Sequence, residues 1–313
     1  MVFQKYLAPI HDFTNLPYRL LAKRYGAQSA CIPLINSIAL ANVRRRGAGG
    51  KKWVDSRILS HLDEKSVGVQ IVGSSPELIG KACKAILDLI PWVGWLNLNC
   101  GCPSEKTMSD GGGSAMLDAP GSITKAVSAM RKASDKPISV KLRLKGGHQN
   151  TLSICKKIES AGADFIIIHG RTPEQGYSGK ADWDAIRRLK ESVGIPVIGN
   201  GDIATASEGM ALIRDGFCDG FMVGRAAMKN PMLFSDKAPE GVAGRFRLLR
   251  EYISLHEKHL GAPELADIKV KASNFMTAVP DGARIRDRIC RSVSVEEIVG
   301  LEDELGYRLT SLD

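Results

Sequence analysis

Residues 138–170 read ISVKLRLKGGHQNTLSICKKIESAGADFIIIHG, and the alternation within them predicts the architecture of the chain. The stretch begins with a short run rich in Ile, Val and Leu, continues through an amphipathic segment and ends in a second apolar run, 165–169. Two short apolar runs separated by a helical pattern are typical of a strand–helix–strand unit with parallel strands.

The same alternation extends in both directions along the chain. Helical patterns lie between most of the apolar runs, and three have readable starts at Ser75, at 118–120 and at Thr205. Eight such units predict a closed barrel of parallel strands, a (β/α)8 or TIM barrel. The predicted strands are Tyr6–Ala8, Ala30–Ile35, Val67–Ile71, Trp95–Asn99, Ile138–Arg143, Phe165–His169, Pro196–Gly199 and Gly220–Val223.

Two segments depart from this pattern. Asn36–Lys65 is rich in Arg, Lys and Gly, which predicts a basic surface loop around residues 44–52 in place of a plain helix. After Pro231 the strand runs cease and only helical spacing follows. We therefore predict an α/β protein with a (β/α)8 barrel over 1–238 and a smaller, all-helical C-terminal domain over 239–313.

Composition limits the class of protein. Of the 313 residues 44% are apolar, and no apolar run approaches the roughly 18 residues of a membrane helix. Seven cysteines, an odd number with no secretion signal before them, favour reduced thiols and a cytoplasmic protein. The net charge of +9 favours a polyanionic partner such as nucleic acid. We expect no membrane contact, and a monomer by default.

Polar side chains gather at the predicted carboxyl ends of the strands. In a barrel these ends meet at one mouth, where such folds hold their active sites. A single Asn or Gln at such an end more often satisfies backbone groups, but seven ends at once indicate a shared site. The residues at these ends are Pro9, Gln70, Asn97, Asn99, Cys102, Lys141, Arg143, His169, Arg171, Asn200, Asp202 and Arg225.

The last two strands end in a glycine-rich pattern. They continue as Gly-Asn-Gly-Asp-Ile at 199–203 and Val-Gly-Arg-Ala at 223–226. Glycine lets the main chain approach an anion closely, backbone N–H groups can bind it, and Arg225 adds positive charge. The pattern favours a phosphorylated cofactor, although glycines at strand ends also serve tight packing.

Lys141 lies two residues before the end of its strand. A lysine inside a barrel mouth needs an anionic partner to offset its desolvation, and a reduced flavin would supply that charge. His169 could hydrogen-bond the same edge of the flavin ring. A surface lysine is the alternative.

Two thiols, Cys100 and Cys102, follow the fourth predicted strand. A Cys-x-Cys pair can begin a metal site, but no other Cys or His has the spacing to complete one, so we expect no metal. A free thiol is mostly protonated at neutral pH and could donate a proton from a loop above a cofactor.

These motifs resemble the tRNA-dihydrouridine synthase family from Leu7 to about Pro231. Ordered blocks this numerous are highly specific. The matching blocks are Leu-Ala-Pro-Ile at 7–10, Val-Gln-Ile at 69–71, LNLNCGCPS at 96–104, GGGSAML at 111–117, SVKLR at 139–143, HGRTPEQGYSG at 169–179, PVIGNGDI at 196–203 and GFMVGRAA at 220–227.

The resemblance implies an FMN-bound barrel that is reduced by NADPH or NADH. It implies that the flavin gives hydride to C6 of a uridine drawn out of tRNA, while Cys102 protonates C5. Cys100 is then expected to be a packing residue. By position, the flavin contacts are Pro9, Ile10, Gln70, Lys141, His169, Asn200, Gly201, Asp202, Gly224 and Arg225, and the uridine contacts are Asn99, Arg143, Arg171 and Tyr177.

The chain departs from the family in places. Asn15 stands where the family usually has Asp, Ile10 stands where Met is common, and the C-terminal match is faint. Three tail arginines share one helical face, which suits phosphate contacts or a solvated surface. The candidate tRNA contacts of the tail are Lys269, Lys271, Arg284, Arg288 and Arg291.

Two rival functions are compatible with the same barrel. A small-molecule FMN oxidoreductase of the dihydroorotate dehydrogenase type would have no obvious use for the basic loop at 44–52 or the helical tail. A barrel that binds RNA without turnover is the second rival, and the intact Cys102 and Lys141 speak against it.

Overall fold

The computed structural model describes residues 3–42, 59–64, 66–277 and 279–307. Eight parallel strands close into a barrel in chain order, and the eighth pairs with the first. The predicted (β/α)8 barrel is confirmed. The strands are β1 (Lys5–Leu7), β2 (Ser29–Asn36), β3 (Gly68–Val72), β4 (Trp95–Cys100), β5 (Ile138–Arg143), β6 (Phe165–His169), β7 (Val197–Asn200) and β8 (Gly220–Val223).

Every strand lies within one residue of its predicted ends, and β5, β6 and β8 match at both ends. Alternate residues of each strand face opposite sides of the barrel wall. In β6, Ile166 and Ile168 pack between the strands and the helices, while Phe165 and Ile167 belong to a separate cluster inside the barrel. Both sides of the wall are therefore buried.

Helices follow most of the strands. Ser75 caps the helix after β3, Pro120 begins another, and Thr205 begins the helix after β7 with a capping box, so all three predicted starts are confirmed. None of the helices in the described ranges is long and apolar enough to cross a membrane. The helices are α1 (Leu16–Arg24), α2 (Ser37–Ala41), α3 (Pro76–Leu89), α4 (Glu105–Ser109), α5 (Pro120–Ala133), α6 (His148–Ser160), α7 (Trp183–Ser192), α8 (Ala206–Arg214), α9 (Arg225–Lys229), α10 (Gly241–Leu260), α11 (Leu265–Phe275), α12 (Gly282–Arg291) and α13 (Val295–Glu304).

The barrel interior is filled in layers. Near the amino ends of the strands, the rings of Tyr6, Trp95 and Phe165 pack with centroids 5.4 to 6.2 Å apart. This aromatic layer fills one end of the barrel. The polar interior residues are thereby left to the opposite end, at the carboxyl ends of the strands.

Helices α10 and α11 pack against the outside of the barrel, at α1 and α9 respectively, and α12 and α13 pack on these two helices. Leu21 of α1 shares one apolar cluster with Phe246 and Tyr252 of α10 and with Phe275 of α11. The described tail is helical, as predicted, and it buries a common surface with the barrel. The division into two domains at residue 238 stays a prediction.

The predicted basic surface loop, residues 44–52, lies outside the described residues. The segment that follows it is attached to α1 by a buried ion pair between Arg19 and Glu64, at 2.8 Å. Arg19 also donates to the carbonyl of Leu59 at 2.6 Å. These contacts place the end of the connection firmly beside α1.

Lys271 lies inside the interface between the tail and the barrel. Its ammonium binds Asp267 at 2.7 Å and lies 4.3 Å from the ring centroid of Phe13, and none of its side chain is exposed. Burial lowers the pKa of Lys271, against the attraction of Asp267. The prediction that Lys271 contacts tRNA is therefore wrong, because α11 turns this residue toward the barrel.

Asn15 belongs to the same buried cluster. Its amide donates to the hydroxyl of Tyr252 at 2.7 Å and lies 3.5 Å from both carboxylate oxygens of Asp267. An aspartate at this position would bring a second carboxylate against Asp267. The amide in place of the family's usual acid therefore suits this interface.

We expect Lys271→Ala to lower the free energy of unfolding by about 3 kcal/mol, because it leaves Asp267 without its cation inside the interface. Lys269→Ala is the matched control, since Lys269 donates to the Cys290 carbonyl at an exposed site and should cost about 1 kcal/mol or less. Urea unfolding followed by circular dichroism measures both. Equal, small losses would contradict a buried ion pair at Lys271.

Candidate functional site

A chain of hydrogen bonds joins the neighbouring strands β3, β4 and β5 inside the barrel. Gln70 donates to Asn97 at 2.7 Å and accepts from Asn99 at 2.8 Å. Asn97 in turn donates to the hydroxyl of Ser139 at 2.7 Å. All four residues are buried, and a buried amide without partners is costly. The network therefore holds these side chains in one arrangement beneath the barrel mouth.

Asn99 also holds the loop that carries Cys102. Its side-chain oxygen accepts from the amides of Gly101 at 3.0 Å and Cys102 at 2.9 Å. On the other side, the Cys102 carbonyl accepts from the Ser114 amide at 2.9 Å. Gly113 has φ = 59°, and a β-carbon there would lie 2.5 Å from that carbonyl oxygen, so only glycine fits.

The two thiols of this segment occupy different environments. Cys100 is buried and its sulfur lies 3.7 Å from that of Met116, whereas Cys102 is half-buried. Burial raises the pKa of the Cys100 thiol, which suits a packing residue. The role of Cys102 as an acid stays a prediction.

Lys141 and His169 lie near each other on adjacent strands. Burial, and then the charge of Arg143, lowers the pKa of Lys141 to about 8. Burial, followed by the charges of Lys141, Arg143 and other arginines, lowers the pKa of His169 to about 2. The His169 ring is therefore neutral and can donate one hydrogen bond and accept another.

Two buried arginines hold the loop 172–179, which follows β6. Arg143 donates to the Gly101 carbonyl at 3.1 Å and to two carbonyls of this loop. Arg171 donates to two more carbonyls of the loop and to Asp202 at 2.7 Å. Arg143 is 4% exposed and Arg171 is 2% exposed. Both side chains thus have structural tasks, and their contact with a uridine stays a prediction.

Tyr177 projects from the same loop and is 61% exposed. The guanidinium of Arg225 lies 4.3 Å from the centroid of its ring, and that of Arg143 lies 5.6 Å away. An exposed ring beside two cations offers a flat surface on which a nucleobase can stack.

Asp202 neutralises part of this positive charge. Its backbone is left-handed, with φ = 55°, and its carboxylate binds Arg171 and, at 3.2 Å, Arg225. Burial acts to raise the pKa of Asp202, but the amide of Ala181 and the charge of Arg171 outweigh it and hold that pKa below its usual value. With its carboxylate so occupied, Asp202 would meet a cofactor through its backbone.

The other predicted flavin contacts line the ends of β1, β7 and β8. Asn200 donates to a backbone carbonyl of β8 at 2.7 Å. Gly201 has φ = 132°, and a β-carbon there would lie 2.6 Å from a neighbouring methyl group. A β-carbon on Gly224 would lie 3.9 Å from Ile10, so the β1 and β8 ends adjoin. Pro9 and Ile10 are half-buried.

The unsatisfied groups of this mouth suit an anionic, phosphorylated cofactor. Within the described ranges, the Lys141 ammonium forms no hydrogen bond or ion pair, and the buried Nη1 of Arg171 has no hydrogen-bond partner. Buried cationic groups without acceptors are costly. The oxygens of a flavin ring and phosphate would satisfy them, so the residues present fit FMN.

The tail cations are mostly paired with carboxylates. Arg288 binds both oxygens of Glu304 at 2.7 Å, and Arg291 binds Asp287 at 3.1 Å. Exposed pairs of this kind contribute little to stability, so RNA phosphates could replace the carboxylates. The tail residues that stay predicted as tRNA contacts are Lys269, Arg284, Arg288 and Arg291.

Sequence reasoning missed three polar residues at this mouth, Ser104, Thr107 and Ser139. Ser139 lies two residues before Lys141 on the same strand, so the two-residue period could have placed it on the inner face. Ser104 accepts from the Cys102 thiol at 3.4 Å and donates to Thr107 at 2.8 Å. No sequence signal separates this serine from an ordinary helix cap.

Comparison with known sequences gives one consistent result. The family model for dihydrouridine synthase matches residues 6–279. A "Probable tRNA-dihydrouridine synthase" of Aquifex aeolicus is 29% identical over 312 residues, which cover 96% of each chain. The tRNA-dihydrouridine synthase B of Pseudomonas putida is 30% identical over 84% of this chain and 72% of its own. A Coprinopsis cinerea protein named tRNA-dihydrouridine(47) synthase NAD(P)(+) is 30% identical over 82% of this chain and 40% of its own.

Solved structures share the fold. A 2-naphthoyl-CoA reductase has a TM-score of 0.54 at 12% identity, over 73% of this chain and 48% of its own. The histamine dehydrogenase of Rhizobium sp. 4-9 has a TM-score of 0.51 at 11% identity, over 80% of this chain and 49% of its own. At such low identity the similarity supports the barrel alone.

We expect His169→Asn to make the protein less sensitive to acid. The pKa of His169 is about 2 in the folded protein and 6.5 as an ordinary histidine, so between these values the unfolded chain binds one more proton. Stability therefore falls as the pH drops below 6.5, by about 1.4 kcal/mol per pH unit from this residue.

Asparagine does not titrate, so the stability of the His169→Asn variant lacks this dependence on pH. Urea unfolding at several pH values from about 7 down to about 5, within the range where stabilities usually peak, compares the slopes of both proteins. Identical slopes would show that His169 binds its proton as readily in the folded protein as in the unfolded chain, so that folding does not lower its pKa.

Proposed function

Because the chain belongs to the dihydrouridine synthase family, we propose the cofactor and the residues with which it reduces uridine in tRNA to dihydrouridine. The observation that carries the proposal is the meeting, at one barrel mouth, of Lys141, an Arg171 nitrogen without a hydrogen-bond partner among the described residues, and a thiol on an anchored loop. Reduction of a conjugated carbon–carbon double bond needs both a hydride donor and a proton donor.

The proposed cofactor is FMN, with NADPH or NADH as the reductant. When bound and reduced, FMN supplies hydride to C6 of the uridine. Lys141 meets the negative edge of the ring, neutral His169 hydrogen-bonds it, and Arg225 joins backbone N–H groups around the phosphate. The remaining proposed contacts are Pro9, Ile10, Gln70, Asn200, Gly201, Asp202 and Gly224.

The proposed acid is Cys102. The C5=C6 bond of uracil is conjugated to a carbonyl, so negative charge develops toward C5 as hydride reaches C6. A thiol on the opposite face of the ring quenches that charge with its proton. Asn99 holds the backbone of the loop, which keeps this thiol close to one position above the mouth.

The proposed substrate complex is a tRNA whose target uridine leaves its stack. Extrusion of a base costs a few kcal/mol, and stacking on Tyr177 offsets part of that cost. Asn99, Arg143 and Arg171 are the other proposed neighbours of the uridine. In the tail, Lys269, Arg284, Arg288 and Arg291 are proposed to bind phosphates.

We also propose a cytoplasmic location. All seven cysteines are free thiols, which suits a reducing compartment. A monomer stays the simplest expectation for the oligomeric state.

We expect Cys102→Ala to keep bound flavin and its yellow colour but to lose dihydrouridine formation by about a hundredfold or more, since a positioned acid contributes at least that much. Cys100→Ala is the matched control and should retain most of the activity, because that thiol only packs against Met116. Mass spectrometry of nucleosides from treated tRNA measures the product. Full activity of Cys102→Ala would remove the proposed acid, and turnover of free dihydroorotate would favour the rival flavoenzyme.

We expect Lys141→Met to weaken FMN binding about tenfold or more, because it removes a charged hydrogen-bond donor from the ring. Affinity of the native protein should also fall above a pH of about 8, where Lys141 loses its charge. Lys145→Met is the control, since its ammonium already binds Asp118 at 2.7 Å. Flavin fluorescence titration measures the dissociation constants. If Lys141→Met bound FMN as tightly as the native protein, Lys141 would not be one of the residues that hold FMN.

A further inference from the structure

Ser104 does not use its hydroxyl as a helix cap. It occupies the position before α4, where serine usually accepts a hydrogen bond from a backbone amide of the first turn. Here the side chain forms no cap bond. Its hydroxyl instead accepts from the Cys102 thiol at 3.4 Å and donates to the Thr107 hydroxyl at 2.8 Å.

The backbone around Cys102 leaves this hydroxyl as the thiol's hydrogen-bond partner. Asn99 and Ser114 bind the amide and the carbonyl of Cys102, so the main chain that carries the thiol is fixed on both sides. The charges that act on the thiol are those of Lys141 and Arg143. Arg143 is held by backbone carbonyls, and Lys141 is proposed to serve the flavin ring.

The chain of three groups reaches solvent at its middle member, Ser104. Cys102 and Thr107 are half-buried, and Ser104 is exposed. A hydroxyl can accept a hydrogen bond and donate another, so the same chain can serve a thiol and, after its oxygen–hydrogen bonds rotate, a thiolate. Hydrogen bonds in such a chain strengthen one another.

We propose that Ser104, supported by Thr107, is the positioning residue of the acid Cys102. This inference rests on the proposed role of Cys102. As the S–H bond breaks and the C5–H bond forms, the Ser104 hydroxyl turns from accepting to donating and stabilises the sulfur anion. That anion then takes a proton from Ser104, whose oxygen takes one from water at its exposed side, and hydroxide passes to the solvent, while Thr107 holds the Ser104 hydroxyl in place.

The test compares Ser104→Ala with Ser104→Thr, which keeps the hydroxyl, in flavin-loaded protein. Both are made in a Cys290→Ser background, because Cys290 is the exposed thiol and the five other cysteines besides Cys102 are buried. Ser109→Ala is the matched control, since its hydroxyl lies on the same short helix and, among the described residues, binds the Lys106 carbonyl and not the Cys102 thiol.

The first readout is alkylation of Cys102 by iodoacetamide without RNA. Only the thiolate reacts, so loss of its donor should slow alkylation about fivefold at neutral pH and move the rise of the rate to higher pH. The second readout is dihydrouridine formation in a single turnover of pre-reduced protein. We expect a loss of about tenfold for Ser104→Ala, and near-native rates for Ser104→Thr and Ser109→Ala.

Alkylation of Ser104→Ala with the native pH profile would overturn the inference. So would a shifted profile with an unchanged single-turnover rate, because the hydroxyl would then touch the thiol without serving the reaction. Failure of the proposed function is distinguishable, since it would appear as an active Cys102→Ala variant and would leave the alkylation result standing.

Discussion

The side chain of Asn99 joins the closed barrel to the reactive loop. Through its nitrogen it belongs to the buried network that includes Gln70, and through its oxygen it holds the amides of Gly101 and Cys102. Asn99 cannot move without breaking contacts on both sides, and its strand is paired with β3 and β5. The position of the proposed acid is therefore set by the barrel wall rather than by loop conformation alone.

An excess of positive charge is the second property of the mouth. Lys141, Arg143, Arg171 and Arg225 meet there, and Asp202 binds only two of these cations. The excess, added to burial, keeps His169 neutral and lowers the pKa of Lys141. A phosphorylated flavin would balance these charges, so its binding should also stabilise the folded protein.

Much of this architecture was readable from the sequence because a parallel barrel imposes a strong pattern. Each strand is a short apolar run, and the polar residues at its carboxyl end must meet their counterparts at one mouth. The sequence did not show whether an individual long side chain is buried or exposed. Helical spacing placed Lys271 near other cations but could not show that α11 turns it inward. The burial of Arg171 depends on how the loop folds back to bring the carbonyls of Ser178 and Gly179 onto its guanidinium, which the residues of the motif do not show. The partner of the Cys102 thiol is Ser104, a residue type that normally only caps helices.

The central claim is that FMN and Cys102 act on opposite faces of one uracil ring. The most direct measurement is the reaction in heavy water with reduced flavin, followed by NMR of the dihydrouridine released from the tRNA. The relative configuration of the hydrogens added at C5 and C6 reports the faces from which they came. The account predicts addition to opposite faces. Addition of both to the same face would contradict it, because the proton could not then come from Cys102 across the ring.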